Sequence, residues 1–252
     1  MPDNDIKIIQ NKIFELFKIV HSFCVENSIR YYFLGGSMLG AVRHNGFIPW
    51  DDDIDIGMPR ADYEKFLVLF NDLYSESLDI RVYNYMSDSS CSFDFTKLLH
   101  RLTINDVEQD VFVDIFPLDG CPFSSKFGIK LFYCNFNLMR LAKNTHFMDE
   151  NKGNVIRKYI IKLLKLRSLD KWESLLNNYL KRNSFDTCKF AGNYSGHWGS
   201  KEIMQKSVYG EPRLIYFVDN YYFGVSEPDI YLTNLYGNYM KLPDEKDRLS
   251  HF

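Results

Sequence analysis

The chain has 252 residues and a net charge of −3, with 46% hydrophobic and 25% charged residues. That length supports a large buried core, and the near-balanced charge, with no Lys/Arg-rich run of five or more residues, argues against nucleic acid as a partner. The amino terminus "MPDNDIKIIQ" starts acidic without an apolar h-region, and no run of 18 apolar residues occurs, which predicts a cytoplasmic chain without a spanning segment.

Ile6, Ile9, Ile13, Phe14, Leu16, Phe17, Val20 and Phe23 recur at helical spacing, predicting an amphipathic helix over residues 4–27. "IRYYFLGG" then reads as a strand entering a glycine turn, and "SMLGAVRHNG" as a short helix with Ser37 at its start and Gly46 past its end. "DDDIDIGM" alternates acid with isoleucine, the period of a strand, and Pro59 suits the first position of a helix carrying Tyr63, Phe66, Leu67 and Phe70 inward. Strands are expected near 79–85, 95–102 and 109–116, helices from Phe127 to about residue 182, a strand at 213–218, and a Tyr-rich helix in "PDIYLTNLYGNYM" before a polar tail. No linker or repeat divides the chain. The expected organisation is one domain over 1–252, with an α/β core at 30–120, a helical segment at 125–185 and a C-terminal segment at 205–252.

The 17 Tyr and 21 Phe suit an aromatic core with room for aromatic pockets. Cys24, Cys91, Cys121, Cys134 and Cys188 form no C-x-x-C pair, so neither a zinc ribbon nor a disulfide framework is expected.

The acids at 51–55 pose the chemical question. Two carboxylates about 4 Å apart repel by roughly 4 kcal/mol at an effective dielectric of about 20, so a partly buried cluster must protonate or hold a cation. On a strand Asp53 and Asp55 share a face about 7 Å apart while Ile54 and Ile56 face the core, and Asp51 joins that face if the strand begins early. With a third carboxylate from a neighbouring strand, such a set can hold two divalent ions about 3.5–4 Å apart for phosphoryl transfer. Asp114, a lone acid in the apolar strand "VFVDIFPLDG", is the candidate. Gly35, Gly36 and Ser37 lie between strand and helix, where backbone N–H groups, the helix dipole and the Ser37 hydroxyl favour a phosphate. A Walker loop fails because Gly40 is followed by Ala41 and Val42, and an EF-hand from Asp51 fails because Ile56 stands where glycine is required.

The stretch "LGGSMLGAVRHNGFIPWDDDIDIGMPRADYEKF", residues 34–66, resembles the signature of the LicD-type phosphocholine transferases, members of the nucleotidyltransferase-fold superfamily related to the fukutin-related proteins. "VDIFPLDG" at 113–120 and "YLTNLYGNYMKLPDEKDRLSH" at 231–251 are similar to further segments of that family. The superfamily pattern of glycine turn, Asp-x-Asp strand and later single acid maps onto Gly35, Gly36 and Ser37, onto Asp53 and Asp55, and onto Asp114. Ser37 replaces the family's frequent threonine, a mild departure.

The resemblance implies an α+β fold, a nucleotidyltransferase-like mixed sheet with flanking and inserted helices. It implies an enzyme that moves a phosphorylated alcohol, typically phosphocholine from CDP-choline, onto a sugar hydroxyl of a surface glycan or its lipid-linked precursor and releases CMP. The cofactor expected is Mg²⁺ or Mn²⁺, two ions, with Asp53 and Asp55 as ligands and Asp114 as ligand or base. Asp51 would assist the metals, and Asp52 would cap the strand or bind Arg43. Arg43 and His44 are candidate phosphate contacts, His44 being equally suited to a structural hydrogen bond. Choline offers no hydrogen bonds and gains from aromatic faces, which makes Trp50 and Trp198 its candidate partners, with core packing the competing role. CDP-ethanolamine, CDP-glycerol and CDP-ribitol stay open as donors. The rival readings are a nucleotidyltransferase acting on a small molecule, a nucleotide-sugar glycosyltransferase, and a metal-binding scaffold without activity.

Residues 152–171 carry seven Lys/Arg against Asp170 alone, and Val155, Ile156, Tyr159, Ile160, Leu163 and Leu164 fall on one helical face. This is either a core helix with a solvated cationic side or a docking surface for the inner face of an anionic membrane.

Overall fold

The computed structural model describes residues 3–74, 79–104, 107–149, 152, 154–244 and 248. The expected first helix is α1 (Asp3–Glu26), in which Ile9, Ile13, Leu16, Phe17 and Val20 form one fully buried face. It stops where Asn27 Nδ2 donates to Phe23 O and Ser28 takes a left-handed φ of 52°. β1 (Tyr32–Phe33) is shorter than the strand read from residues 29–36, because α2 (Gly35–His44) starts at the first glycine rather than at Ser37. β2 (Ile54–Pro59) begins after the first three acids, so Asp51, Asp52 and Asp53 form the loop that enters it. Pro59, expected to open a helix, closes β2 instead, and α3 (Arg60–Tyr74) follows with Tyr63, Phe66 and Phe70 buried.

β3 (Ile80–Tyr83), β4 (Thr96–Ile104) and β5 (Val107–Cys121) occupy the three expected strand regions, β5 running well past residue 116. The helical stretch resolves into α4 (Lys126–Asn144), α5 (Val155–Lys165) and α6 (Leu169–Lys181). The sequence reading lacked β6 (Phe190–Asn193), β7 (Ile203–Gln205) and the one-turn α7 (Lys206–Tyr209). β8 (Arg213–Phe217) pairs with β9 (Asn220–Gly224) as a separate hairpin, and α8 (Pro228–Tyr236) follows. Of the polar tail, residues 245–247 and 249–252 lie outside the described residues, as does part of the 231–251 segment.

The fold is α+β. Its main sheet runs β1-β2-β5-β4-β3, with β2 and β5 parallel and the other pairs antiparallel. β5 exchanges neighbours along its length: β4 pairs with it as far as Ile115, and β6 takes over from Leu118, with β7 outside β6. Strand pleating separates the two sides of β2. Ile54 and Ile56 are fully buried in the apolar core, which takes residues from α1, α2, α3, α7 and α8, and Asp55 projects to the opposite face. A smaller apolar cluster joins α4 to α6 through Phe132, Phe136, Leu176 and Leu180, under Tyr194 and Ile203. Asp119, fully buried on β5, accepts from Arg60 Nε at 2.8 Å and ties the start of α3 to the sheet.

Candidate active site

The glycine turn is built by three bonds to distant elements. Leu34 N–H donates to Asp55 O at 3.0 Å, Gly35 N–H to the Tyr231 hydroxyl at 3.0 Å, and Asp55 N–H to Ser37 Oγ at 2.8 Å. Ser37 is buried, and its hydroxyl oxygen holds β2 against the first turn of α2. Gly35 has a φ of 46°, which disfavours any side chain. The glycines also make room for acids: a Cβ on Gly35 would lie 3.0 Å from Asp55 Oδ2, and one on Gly36 2.7 Å from Asp51 Oδ2. Two carboxylates therefore sit against the N-terminus of α2, where the helix dipole partly offsets their charge.

The offset is incomplete. Burial, then Asp53 and Asp52, push the Asp51 carboxyl up to about 8. Burial, then Asp53, Asp114, Asp51 and Glu202, push Asp55 well above the usual carboxylate range. In the parallel β2–β5 register Asp55 stands beside Asp114. Asp114 is itself buried and accepts from Lys97 Nζ through both oxygens, at 2.7 and 2.8 Å. Lys97, its antiparallel partner on β4, also lies 3.7 Å over the Phe112 ring centroid. Sequence reading missed this lysine; the available signal was a cation at an alternating position of a strand.

A cavity of about 1240 Å³ opens over these groups. Gly35, Gly36, Asp51, Asp53 and Asp55 line one side, and Asn193, His197, Trp198, Glu202 and Tyr236 another, with Trp50 and Arg43 also on the wall. Ser37, His44 and Asp114 stand behind the wall. Arg43 Nη1 donates to Tyr239 O at 2.9 Å and its Nε to His44 Nε2 at 2.9 Å, so His44 orients the arginine. Asp52 is buried. The Asp51 loop is held from α1, where Gln10 Nε2 donates to Asp51 O at 2.7 Å. Both sequence-predicted tryptophans face the cavity, with different neighbours. Trp198 meets Tyr236 edge-on at 4.8 Å and has Lys201 Nζ 5.8 Å over its ring, and the Arg248 guanidinium lies 5.0 Å over Trp50.

Glu202 is the second group missed by sequence reading. It ends the 3₁₀ turn Gly199–Glu202 between β6 and β7, is 4% exposed, and accepts from Trp198 N–H at 2.9 Å. A Cβ on Gly196 would fall 2.0 Å from Glu202 Oε1, so the glycine lets the carboxylate rest against the backbone. Burial pushes Glu202 up to about 7, against the lowering effect of bonds from Trp198 N–H and Asn193. Nothing local marks it, because its setting is made by β6 and α8.

The cavity thus combines paired acids, Arg43, Arg140 and Lys241 as cations, and aromatic faces. Among the described residues no set of three or more His, Cys, Asp or Glu converges as a ready-made metal site. A cation between Asp53 and Asp55 would complete its shell from water or from a ligand's phosphate oxygens, the usual habit of Mg²⁺.

A glycine turn, an Asp-x-Asp at the start of a strand and a further acid on its parallel neighbour define a nucleotidyltransferase-type site on a mixed sheet. The family model "LicD/FKTN/FKRP, nucleotidyltransferase domain" matches residues 28–174, and the chain belongs to that family and is an enzyme of the LicD-like kind. It is 28% identical over 242 residues to the lipopolysaccharide cholinephosphotransferase LicD of Haemophilus influenzae, covering 92% of this chain and 89% of that protein. It is 41% identical over 76 residues to an uncharacterised Rickettsia prowazekii protein, 29% of this chain and 28% of that one. The human ribitol 5-phosphate transferase FKRP is 57% identical over 34 residues, 14% of this chain and 7% of FKRP. The wall formed by Asn193–Glu202 and Tyr236–Asp244 lies beyond the residues matched by the family model.

Proposed function

We propose that the protein transfers phosphocholine from CDP-choline to a sugar hydroxyl of a surface glycan such as lipopolysaccharide and releases CMP. The observation that carries this reading is one cavity with the Asp51, Asp53 and Asp55 carboxylates at the glycine turn and the Trp198–Tyr236 aromatic wall, in a chain similar along 92% of its length to a cholinephosphotransferase.

In the reaction the acceptor hydroxyl oxygen bonds to the phosphorus that carries choline. The bond from that phosphorus to the bridging oxygen breaks, its electron pair leaves with CMP, and the hydroxyl proton passes to a carboxylate. Glu202, held near 7, is able to take a proton at neutral pH and lies on the cavity wall beside the aromatic side chains. Arg43 lines the cavity with its guanidinium held by Tyr239 O and His44, and so presents a fixed positive charge to the diphosphate. Trp198 and Tyr236 offer ring faces to the quaternary ammonium.

The acids suit Mg²⁺ or Mn²⁺: they are hard oxygen donors, and burial together with their crowding holds Asp55 well above the usual carboxylate range, a cost that a cation would relieve. Asp53 and Asp55 would hold it, with Asp51 adjoining, and when bound it would neutralise charge on the diphosphate.

The test is product analysis. Protein with Mg²⁺ and a lipopolysaccharide acceptor is offered CDP-choline, CDP-ethanolamine, CDP-glycerol, CDP-ribitol, nucleoside triphosphates and UDP-sugars. Acceptor-dependent CMP from CDP-choline in preference to the others, abolished by chelator and by Asp53→Asn, is the expected result. Pyrophosphate from a triphosphate would establish a nucleotidyltransferase instead, and UDP from a UDP-sugar a glycosyltransferase.

A further inference from the structure

α5 is docked with its apolar stripe outward. Ile161 is buried at 2% exposure, whereas Ile156, Tyr159, Ile160 and Leu163, spaced i, i+3, i+4, i+7, are 70, 72, 51 and 67% exposed. The core-helix alternative read from the sequence therefore fails: the apolar face looks away from the core. Asn154 Oδ1 caps the helix by accepting from Arg157 N–H at 2.9 Å, and Trp172 Nε1 of α6 donates to Leu164 O at 3.1 Å. The neighbouring α4 repeats the arrangement with Phe127, Leu131, Leu138 and Leu141 all exposed along one side. Both helices pack on the 3₁₀ turn Thr145–Phe147 and touch each other, so their stripes belong to neighbouring elements. A patch of this kind, unlike scattered surface residues, marks an interaction surface.

Its charge selects the occupant. Residues 152–167 contain six Lys/Arg and no acid. With about 3.6 residues per turn, Arg157 and Lys162 fall on opposite flanks of the α5 stripe; the Arg157 guanidinium is held by Asp149 O and Lys152 O, and exposed Lys162 is placed to reach a plane of negative charge while the stripe enters an apolar layer. A second copy would bring the same cations face to face, whereas an anionic bilayer surface satisfies both features. No helix among the described residues is long and apolar enough to cross a membrane, so the contact is one of lying on the surface.

We propose that the α4–α5 surface docks on an anionic lipid bilayer, with its apolar stripes at the boundary between headgroups and acyl chains. α4 also lends Tyr133 and Arg140 to the cavity wall, from the side of the helix turned away from its exposed stripe, so one helix joins the docking surface to the cavity. On the function proposed above, docking would hold the protein at the bilayer that carries a lipid-linked glycan acceptor.

The experiment is flotation of the full chain with phosphatidylcholine vesicles, with and without phosphatidylglycerol. The protein is expected to float only with the anionic vesicles and less as salt rises. The double variant Ile160→Ser/Leu163→Ser should lower partitioning at least about tenfold. Lys162→Ser should lower it as well and flatten the salt dependence. Both variants should keep the parent's circular dichroism, since the apolar pair and Lys162 are exposed. Absence of flotation at low salt, or flotation of the Ile160/Leu163 variant equal to the parent, overturns the proposal. A dimer abolished by that variant, without flotation, gives the surface to a second copy. The assay uses neither donor nor acceptor, so an inactive protein that floats counts against the transfer reaction and leaves the docking surface standing.

Discussion

Asp55 and Asp114 stand side by side on parallel strands, and Lys97, opposite Asp114 on the next strand, bonds to both oxygens of only the second. One member of an adjacent acid pair is thus neutralised by the fold and the other is left to a ligand or a proton. Removing the lysine should leave the buried Asp114 carboxylate without its cation beside the half-buried Asp55. Lys97→Met is expected to cost about 2–4 kcal/mol in urea denaturation at pH 7, and Lys97→Met/Asp114→Asn to recover most of it. Equal stability of the single and double variants would show that the pair does not act as a unit.

Gly36→Ala separates site geometry from folding. The new methyl would lie 2.7 Å from Asp51 Oδ2, the movable end of a side chain, while alanine in the first turn of α2 favours the helix. The melting temperature is expected to stay within a few degrees of the parent, and kcat/KM for CMP release to fall at least about tenfold because the carboxylate is displaced. A variant that melts far lower would mean that the backbone yields instead.

Glu202 sets a pH dependence of stability. Its folded value, about 7, lies above its ordinary 4.5, so the folded protein binds more protons than the unfolded chain between those values. Stability from this group is present below about pH 4.5 and is lost as pH rises through 7. Glu202→Gln should therefore match the parent at pH 4.5 and exceed it at pH 8 by about 3 kcal/mol in urea denaturation, the size set by a shift of about two and a half pH units. A constant difference between the two proteins across that range would rule the shift out.

The two tryptophans should differ. Trp198 stands against Tyr236 with the Lys201 ammonium 5.8 Å over its ring, whereas the planar Arg248 guanidinium lies closer, 5.0 Å, over Trp50. Trp198→Ala is expected to raise KM for CDP-choline about tenfold, with a smaller effect on CDP-ethanolamine, whose ammonium has hydrogen bonds to fall back on. Trp50→Ala should change both less. Initial rates with the two donors decide it, and the reverse order would move the choline site to Trp50.

Several features of the fold and site were readable locally. The 3.6-residue spacing of α1, the two-residue alternation around Asp55 and the glycine turn depend on neighbours along the chain, and each forms where it was expected to within a few residues. The errors at β1 and β2 have one cause: a short strand ends where its partner ends, and the pairing of Tyr32 with Gly57 and Phe33 with Ile56 is not written in either segment. β6 and β7 were missed for the same reason, since Phe190–Asn193 becomes a strand by replacing β4 alongside β5.

By itself the sequence determined that a glycine turn and an acid-bearing strand exist, which family they belong to, and that residues 152–171 are amphipathic and basic, because those properties rest on residue identity and local period. Tertiary structure alone decided that Lys97 closes Asp114, that Glu202 is buried opposite the acids, and that α5 shows its apolar face to the outside. Cross-strand register, burial and the choice of helix face are set by contacts between segments far apart in the chain, where no local pattern reaches.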